Sequence, residues 1–386
     1  MKKLLQYISV ILASTFIVCS FAGCGGSSDQ PLDSSVSGSS GEEITSAGGG
    51  TGAELAVLVN PGSSIDDKSF VQGTWEGAKA YAEEHGISYQ NYKVSDNSED
   101  SFLSCIELAV SGGAKVIFCP GFNFAKPVGK AQEQYPDTKF VLMDVAPVNA
   151  EGKEYVAENT YAAVFAENEA GFLAGYAAVK DGYRKLGFLG GMAQPAVVRF
   201  GYGFVQGADY AADELGLAPG EVEVLFSYTG NWDANPENQS KAASWYQSGT
   251  EVIFACGGAL GQSVFAAAEA NGAKAIGVDV DQSDDSETVI TSAIKDLSVT
   301  AYNVLEQFYA GSFPGGVAET RGVYSGSVGL PMDNSRFSTF STKDYQEIYS
   351  KMEAGEESLG VAVVNDSDYS SADQVPTTIA TVKTVE

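Results

Sequence analysis

The side chains best suited to chemistry in this chain are carboxylates and aromatic rings beside short apolar runs. Five of them stand where an apolar run ends or an apolar helix begins: Asp67, Phe70, Asp144, Phe200 and Asp279. Carboxylates accept hydrogen bonds from hydroxyl groups, and aromatic faces stack on flat rings. Together these residue types predict a site for a small ligand that carries both hydroxyls and a planar ring.

Catalysis has little support in the sequence. The only histidine, His85, falls in the polar end of a predicted helix, so a histidine acid or base is not expected. Residues 257–261 lack GxGxxG spacing, and the chain contains neither a phosphate-binding GxxxxGK loop followed by Ser or Thr nor GxSxG. A glycosidase is an alternative, because several carboxylates could converge: Asp66, Asp67, Asp144 and Asp279. The sequence favours a binding protein over an enzyme.

Cysteine usage and charge exclude several other classes of protein. Cys105, Cys119 and Cys256 lie on apolar faces or at the ends of apolar runs, which indicates small buried side chains. There is no CxxC pair and no histidine cluster, so neither a metal site nor a cofactor site is predicted. The formal net charge of −28 repels nucleic-acid phosphates, so no nucleic-acid partner is expected.

The N-terminus has the pattern of an export signal. Two lysines precede an apolar run over residues 4–21, and small residues follow it up to Cys24. This order predicts a signal peptide over residues 1–23. A cysteine directly after Ala-Gly resembles a lipobox, in which Cys24 becomes the acylated N-terminus. We therefore expect a lipid anchor at the extracytoplasmic face of the cell membrane. An ordinary signal peptide or a retained anchor is the alternative, although the run is short for a bilayer helix.

Residues 24–53 are rich in Gly and Ser and nearly free of apolar side chains. Such a stretch cannot bury enough surface to offset its ordering entropy, so a flexible tether is predicted. The folded part begins near Glu54 and is long enough for two domains.

The folded part repeats one pattern twice, a continuous apolar run of strand length followed by an amphipathic helix. The first set has predicted strands over 55–59, 89–94, 115–119 and 139–144, with helices over 70–84, over 102–110 and up to 135. The second set has strands over 186–190, 222–226, 251–256 and 274–279, with helices over 197–214, 237–247 and 262–270. Buried runs that alternate with helices indicate parallel sheets covered on both faces. The predicted fold class is α/β, with two similar Rossmann-like lobes and a cleft between them.

Ligands of open α/β sheets bind at the carboxyl ends of the strands. In the first half of the chain this rule selects the loop 60–70 and Asp144. In the second half it selects the loop 191–200, the glycines at 257–258, and Asp279. Glycines at such positions let the backbone approach a ligand closely.

Several motifs keep their order and spacing from about residue 54 to 365. In the first half they lie at 64–70 (SIDDKSF), 75–77 (WEG), 120–122 (PGF) and 135–140 (YPDTKF). Further along they lie at 168–175 (NEAGFLAG), 197–200 (VVRF) with Gly203, Phe204 and Gly207, 277–282 (GVDVDQ) and 291–295 (TSAIK). This ordered set resembles the basic membrane protein family, the nucleoside-binding lipoproteins of ABC importers.

The resemblance implies a type I periplasmic-binding fold with a nucleoside, of the purine kind, in the cleft between the lobes. It implies that Phe70 and Phe200 sandwich the base from opposite lobes. It also implies that Asp67 and Asp144 face the base or the ribose from the first lobe. An ABC permease is the implied protein partner, and the binding protein itself is expected to be a monomer.

The resemblance also implies how the ribose is held. Asp279 with Lys295 would bind its hydroxyls, and Gly258 would offer a backbone contact. Neighbouring residues are further candidates for ligand contact: Lys68, Ser69, Trp232 and Asp281. The chain departs from the family pattern at Val71, where asparagine is usual, and this removes one polar contact to the base.

Each of these assignments has a structural alternative. Phe70 and Phe200 could be core residues at helix starts. Asp144 and Asp279 could cap the segments that follow them, and Lys295 could be a solvated charge. A sugar-binding or sensory receptor of the same fold is a second functional alternative, because pyranose rings also stack on aromatic side chains.

The predicted lobe boundaries follow from three chain crossings, near Tyr161, Ser292 and Tyr324. The first lobe then covers 54–160 and 293–323, and the second covers 161–292 and 324–365. A helix over 299–309 is expected in the first lobe, followed by a strand over 322–328 that leads back to the second lobe and by a helix over 342–352. Residues 366–386 are expected to be weakly ordered.

Overall fold

A computed structural model describes residues 52–385, so the predicted signal peptide, Cys24 and nearly all of the tether lie outside the described residues. The elements up to the first crossing are β1 (Leu55–Val59), α1 (Phe70–His85), β2 (Tyr89–Lys93), α2 (Glu99–Ser111), β3 (Val116–Pro120), α3 (Ala125–Gln134), β4 (Lys139–Met143) and β5 (Thr160–Phe165). The remaining elements are α4 (Glu167–Lys180), β6 (Lys185–Gly190), α5 (Pro195–Glu214), β7 (Val222–Tyr228), α6 (Pro236–Gln247), β8 (Val252–Cys256), α7 (Leu260–Asn271), β9 (Lys274–Asp279), β10 (Val289–Lys295), α8 (Leu297–Tyr309), β11 (Val317–Arg321), β12 (Val328–Gly329), α9 (Thr342–Glu353), α10 (Glu356–Leu359) and β13 (Ala380–Thr384). Over residues 52–385 no helix is long and apolar enough to cross a membrane.

The first lobe is built on a six-stranded parallel sheet with the order β11-β5-β4-β3-β1-β2. Alternate residues of β1 face opposite sides of this sheet. Leu55 and Val57 pack with Trp75 of α1, whereas Ala56 and Leu58 join a second core with side chains of α2 and α3. Because both faces are covered by helices, the central strands read as continuous apolar runs.

The second lobe is built on a seven-stranded sheet with the order β12-β10-β9-β8-β6-β7-β13. All of its strand pairs are parallel except the short antiparallel pair of β10 and β12. Helices α4 and α5 pack together on one face, and α6 and α7 cover the other. The predicted α/β class with two parallel-sheet lobes is confirmed. Helices α8 and α9 also lie where the sequence predicts them, and α8 packs on α1 of the first lobe.

The chain crosses between the sheets three times, but two crossings differ in position from the prediction. Strand β5 stays in the first sheet to its last residue, Phe165, so the chain does not cross near Tyr161. Strand β10 stays in the second sheet to Lys295, beyond the crossing predicted near Ser292. The third crossing follows β11, close to the predicted Tyr324. The difference arises because both strands continue as unbroken buried runs up to the hinge.

The prediction of a strand over residues 322–328 is wrong. A short 3₁₀ turn occupies Val323–Ser325, and only Val328–Gly329 pair as β12. The strand lies just before this stretch, where β11 forms the edge of the first sheet. Its sequence, VAETR, is mostly polar because an edge strand is covered on fewer sides than a central one.

The C-terminal arm, defined here as residues 355–385, runs over the second lobe. Its strand β13 pairs with β7, so the expectation of weak order over 366–386 is wrong for this strand. The buried carboxylate of Asp209 on α5 accepts hydrogen bonds from the backbone of Ile379 and Ala380, both at 2.7 Å. Composition does not reveal such a tertiary contact, so the sequence did not predict that the C-terminal arm is ordered.

Candidate functional site

A buried lysine lies where the two lobes meet, at the end of β10. Its ammonium Nζ lies 2.8 Å from Asp144 Oδ2 of the first lobe and 3.0 Å from Asp279 Oδ1 of the second. Glu167, the first residue of α4, lies 3.6 Å from the same ammonium. The side chain of Lys295 is only 2% exposed, so these ion pairs replace its hydration. We call these four residues the Lys295 cluster; it brings together three of the predicted site residues.

Three phenylalanine rings surround the same ammonium. Its distance to the ring centre is 4.5 Å for Phe70 of the first lobe and 5.4 Å for Phe200 of the second. The ring of Phe165, at the first crossing, lies at 5.7 Å. All three are within the range of cation–π attraction. Phe70 is partly buried, whereas Phe200 is fully buried and packs edge-on against Phe254. The two predicted stacking rings therefore approach the cluster from opposite lobes, and Phe200 is also a core residue.

The backbone is strained at the two aspartates of the cluster. Asp144 follows β4 with a φ of 70°, and Asp279 ends β9 with a φ of 67°. Lys68, in the loop before α1, has a φ of 59°, and these three are the only residues other than glycine with positive φ over residues 52–385. Side chains with a Cβ rarely adopt this region, and such strain, about 1–3 kcal/mol each, persists only where the surroundings enforce it. Its concentration on cleft loops is typical of a functional site.

The loop before α1 joins the two lobes. The hydroxyl of Ser69 donates a hydrogen bond to Asp279, and the side-chain amide of Gln282 donates to the carbonyl of Lys68 at 2.7 Å. The ammonium of Lys68 also lies 3.9 Å from Asp285. Lys68 and Ser69, two of the further candidates, thus lie at the contact between the lobes, and the cleft is closed over the cluster.

Asp67 is turned toward its own helix. Its carboxylate accepts hydrogen bonds from the backbone N–H groups of Ser69, Val71 and Gln72 at 2.9–3.2 Å. These groups belong to the start of α1, where the helix itself offers no acceptor. Burial raises the pKa of Asp67 to about 6, against the lowering effect of these hydrogen bonds. Asp67 therefore supports the loop that carries Phe70, and its contact with a ligand stays a prediction.

Two further acidic residues lie apart from the cluster. Asp66 is exposed and is hydrogen-bonded to Ser64 of its own loop. Asp281 accepts hydrogen bonds from the backbone of Ser283 and from the side chain of Asn334, both within the second lobe. Asp66 therefore does not join Asp144 and Asp279, and Asp281 supports its loop.

The predicted residue Trp232 packs on a glycine-lined face of the second lobe. A Cβ added to Gly191 would lie 2.3 Å from the indole ring, and one added to Gly257 would lie 3.1 Å from it. Gly258 follows with a φ of 54° in the turn between β8 and α7. A side chain at residue 191 would overlap the indole ring, and glycine suits residue 258 because of its positive φ. Trp232 thus fixes the turn whose backbone is predicted to contact the ligand.

Two residues that the sequence analysis did not select extend the charge network. Arg199 donates from Nε to Glu167 Oε2 at 2.6 Å, and Glu167 is fully buried. Arg199 also donates from Nη1 to Asp366 of the C-terminal arm at 3.3 Å. Both had a signal in the sequence, because Arg199 lies within the motif 197–200 and Glu167 directly precedes the motif 168–175.

Glycines allow α4 and α5 to touch. A Cβ on Gly171 would lie 2.1 Å from the carbonyl oxygen of Phe200, and one on Gly203 would lie 2.0 Å from that of Asn168. A second pair of glycines repeats the arrangement further along each helix. Only a hydrogen atom fits at these contacts. The close packing brings the start of α5, with its aromatic ring, beside the start of α4, with the carboxylate of Glu167.

Burial and neighbouring charges set the ionisation of the cluster. Burial raises the pKa of Asp144 to about 7; Lys295 opposes this shift and Glu167 adds to it. Burial alone would lower the pKa of Lys295, but the carboxylates, Asp144 first, raise it above its ordinary value. Atom Oδ1 of Asp144 is buried and has no hydrogen-bond partner among the described residues. The site thus offers a fixed cation and an acceptor oxygen that is available to a ligand hydroxyl.

Comparison with known proteins adds an independent finding. The Bmp family model, described as "ABC transporter substrate-binding protein PnrA-like", matches residues 54–358. The chain is 29% identical to the ABC transporter nucleoside-binding protein BmpA of Lactococcus lactis, over 86% of this chain and 92% of that protein. It is 30% identical to basic membrane protein A of Borreliella afzelii, over 77% of this chain and 86% of that protein. A solved ABC transporter solute-binding protein from Aeropyrum pernix is similar with a TM-score of 0.64 and 25% identity, over 81% of this chain and 83% of that chain.

Proposed function

Because the chain belongs to the Bmp family of PnrA-like substrate-binding proteins of ABC transporters, we propose that the solute it binds is a nucleoside. Members of this family bind solutes and are not enzymes. The observation that carries the proposal is the pair of rings, Phe70 and Phe200, which flank the Lys295 cluster from opposite lobes. A base between two rings is recognised by stacking, and a ribose is recognised by carboxylates and an ammonium. The nucleoside-binding relative in Lactococcus lactis supports the same ligand class.

Each polar group of the site has a role in this proposal. Asp279 and Lys295 bind the ribose hydroxyls, and the available Oδ1 of Asp144 accepts a further hydrogen bond from the ligand. Gly258 approaches the ligand through its backbone. A purine is the expected base, and Val71 contributes no hydrogen bond to it.

We propose further that Cys24 carries a lipid anchor, which holds the protein at the extracytoplasmic face of the cell membrane. There the protein is a monomer and delivers its ligand to an ABC permease. The motif before Cys24 supports this proposal. In cells, Cys24→Ser protein should appear in the soluble fraction and keep its full affinity for nucleosides. Cys24→Ser protein that stays in membranes after an alkaline wash would contradict lipid attachment.

Isothermal titration with adenosine, guanosine, uridine and ribose tests the ligand class. The wild-type protein should bind nucleosides more tightly than ribose. Phe70→Ala should weaken the binding of every nucleoside by about 1–3 kcal/mol, the range for base–aromatic stacking, and should hardly alter the binding of ribose. Phe200→Ala should act in the same way, although its burial also predicts a loss of about 3–5 kcal/mol in the free energy of unfolding. Partly buried Phe70 is therefore the cleaner variant.

Asp279→Ala separates ribose recognition from base recognition. It should weaken the binding of nucleosides and ribose, because their hydroxyls lose a charged acceptor, and should affect free bases less. The melting temperature of each ligand-free variant serves as the control for folding. A wild-type protein that binds a free sugar tightly and ignores every nucleoside would replace the proposal with the sugar-receptor alternative.

A further inference from the structure

A row of alternating charges runs from the C-terminal arm to the Lys295 cluster. Asp366 accepts a hydrogen bond from Nη1 of Arg199 at 3.3 Å, and Nε of Arg199 donates to Glu167 Oε2 at 2.6 Å. The other oxygen of Glu167, Oε1, lies 3.6 Å from the ammonium of Lys295. Side-chain exposure falls along the row, from 27% for Asp366 to 11% for Arg199 and none for Glu167. Charges at the buried end are weakly screened by solvent, so they interact strongly.

The distance between Glu167 and the ammonium decides what this carboxylate does. A lysine ammonium has three N–H donors, and Asp144 and Asp279 lie at hydrogen-bond distance from it. At 3.6 Å, Glu167 attracts the ammonium without forming a hydrogen bond, and its Oε1 has no hydrogen-bond partner among the described residues. One donor of Lys295 therefore stays available for a ligand.

We propose that Arg199 is a positioning residue for the ligand site, which acts through Glu167 on Lys295; this inference rests on the nucleoside proposed above. Arg199 holds the Glu167 carboxylate on the second-lobe side of the ammonium and keeps it at a distance. Lys295 then remains between the two lobes with one N–H free. Asp366 secures Arg199 from the solvent side.

The loss of Arg199 has a defined consequence for the cluster. A fully buried carboxylate that keeps a single cation moves onto that cation, because an unpaired buried charge is costly. Glu167 would then take the third N–H of Lys295 and draw it away from Asp144 and Asp279. In Glu167→Gln protein this pull is absent, so the loss of Arg199 should matter much less.

A double-mutant cycle tests this coupling. The variants are Arg199→Gln, Glu167→Gln and the pair together, each titrated calorimetrically with adenosine. Arg199→Gln should raise the dissociation constant about tenfold in the wild-type background and less than about twofold in the Glu167→Gln background. Arg199→Lys, which keeps the charge, should recover most of the loss.

The matched control is Arg184→Gln. Arg184 is on the same lobe and donates to the backbone carbonyls of Val179 and Tyr183, but it lies at the amino ends of the strands, away from the cleft. This variant should leave adenosine affinity unchanged. Equal losses for Arg199→Gln in both backgrounds would overturn the coupling and leave Arg199 with a purely structural role.

A ligand-free measurement separates this inference from the nucleoside proposal. The buried ammonium of Lys295 should give a slowly exchanging ¹⁵N signal, identified by its loss in Lys295→Met. Arg199→Gln should shift that signal, and should not do so when Glu167→Gln is also present. If the wild-type protein binds no nucleoside and the signal still responds in this way, the nucleoside proposal fails and the positioning role stands. A signal that Arg199→Gln leaves unchanged overturns the positioning role, whichever ligand binds.

Discussion

An ammonium enclosed by three carboxylates and three aromatic rings cannot be hydrated in the ordinary way. Lys295 is held by the fixed charges and ring faces around it, so the alternative that it is a solvated surface charge is wrong. The same enclosure explains the strained backbone of Asp144 and Asp279, since each must turn its carboxylate toward one point. The position of the ammonium is therefore fixed by charges and rings from both lobes.

Nucleoside affinity should depend on the ionisation of Asp144. Its pKa is raised by burial to about 7, and the charged groups that face it are Lys295, Glu167 and Asp279. The ionised carboxylate offers two acceptor oxygens, and protonation turns one of them into a donor. We therefore expect the dissociation constant to rise as pH falls below 7, by up to about tenfold per pH unit.

The raised pKa of Asp144 affects stability in the direction opposite to affinity: low pH weakens nucleoside binding but stabilises the ligand-free protein. A carboxyl whose pKa is higher in the folded than in the unfolded chain favours folding most at low pH. The contribution of Asp144 to the free energy of unfolding should fall as pH rises from about 4 to 7. Calorimetric titrations from pH 5.5 to 8.5 check the affinity, and urea unfolding from pH 4 to 7 checks the stability, each with wild-type and Asp144→Asn protein; the variant should flatten both profiles. Asp213→Asn, at an exposed residue of α5, is the control; a wild-type dissociation constant that is independent of pH would contradict the assignment.

The helices and strands differ in how far sequence predicts them. The central strands are buried on both faces, so their apolar runs alone indicate their positions, as for β1 and β9. Strands β11 and β13 lie at sheet edges and have polar sequences, so no apolar run marks them. The motifs and the strand-end rule selected Asp144, Asp279 and Lys295. They gave no role to Glu167 or Arg199, because the contact of that pair depends on how α4 packs on α5.

The order of β13 should depend on one buried carboxylate. Asp209 accepts hydrogen bonds from three consecutive backbone N–H groups at 378–380, and an asparagine amide would replace one of the two acceptor oxygens with a donor. Asp209→Asn should lower the free energy of unfolding by about 1.5–3 kcal/mol, the usual value of hydrogen bonds to a charged group. Urea unfolding measures this loss. Amide hydrogen exchange should also accelerate over Ala380–Thr384.

Asp213→Asn is the matched control for this prediction, because Asp213 is exposed one turn later on the same helix. It should change neither the unfolding free energy nor the exchange rates. Exchange over Ala380–Thr384 that Asp209→Asn leaves unaltered would show that pairing with β7, and not the carboxylate, fixes the strand.

The two lobes are joined by the loop before α1 as well as by the Lys295 cluster. Apart from the Lys295 cluster, the loop before α1 supplies the hydroxyl of Ser69 to Asp279 and the carbonyl of Lys68 to Gln282. The number of chain crossings followed from the repeated sequence pattern. The sequence pattern did not predict the contacts that close the cleft, because they join residues about 210 positions apart in the chain.

The hydrogen bond between Ser69 and Asp279 should help to set the ligand-free balance between open and closed forms. A hydrogen bond contributes about 0.5–1.5 kcal/mol, so Ser69→Ala should lower the ratio of closed to open molecules several-fold. A ligand that binds only the closed form loses apparent affinity in proportion to the fraction of molecules that are closed. We expect a larger radius of gyration for ligand-free Ser69→Ala protein in small-angle X-ray scattering, and a nucleoside dissociation constant raised several-fold. Saturating nucleoside should return the radius to the wild-type value.

Ser312→Ala is the control for this variant, because the exposed hydroxyl of Ser312 donates to the carbonyl of Gln307 within the first lobe. It should leave both the scattering and the affinity unchanged. The scattering of the ligand-free protein separates two roles that affinity alone confuses. If Ser69→Ala raises the dissociation constant and leaves the ligand-free radius unaltered, Ser69 contacts the ligand directly and does not hold the lobes together. If Ser69 holds the lobes together, a single decrease in the closed population should account for both the larger ligand-free radius and the higher dissociation constant.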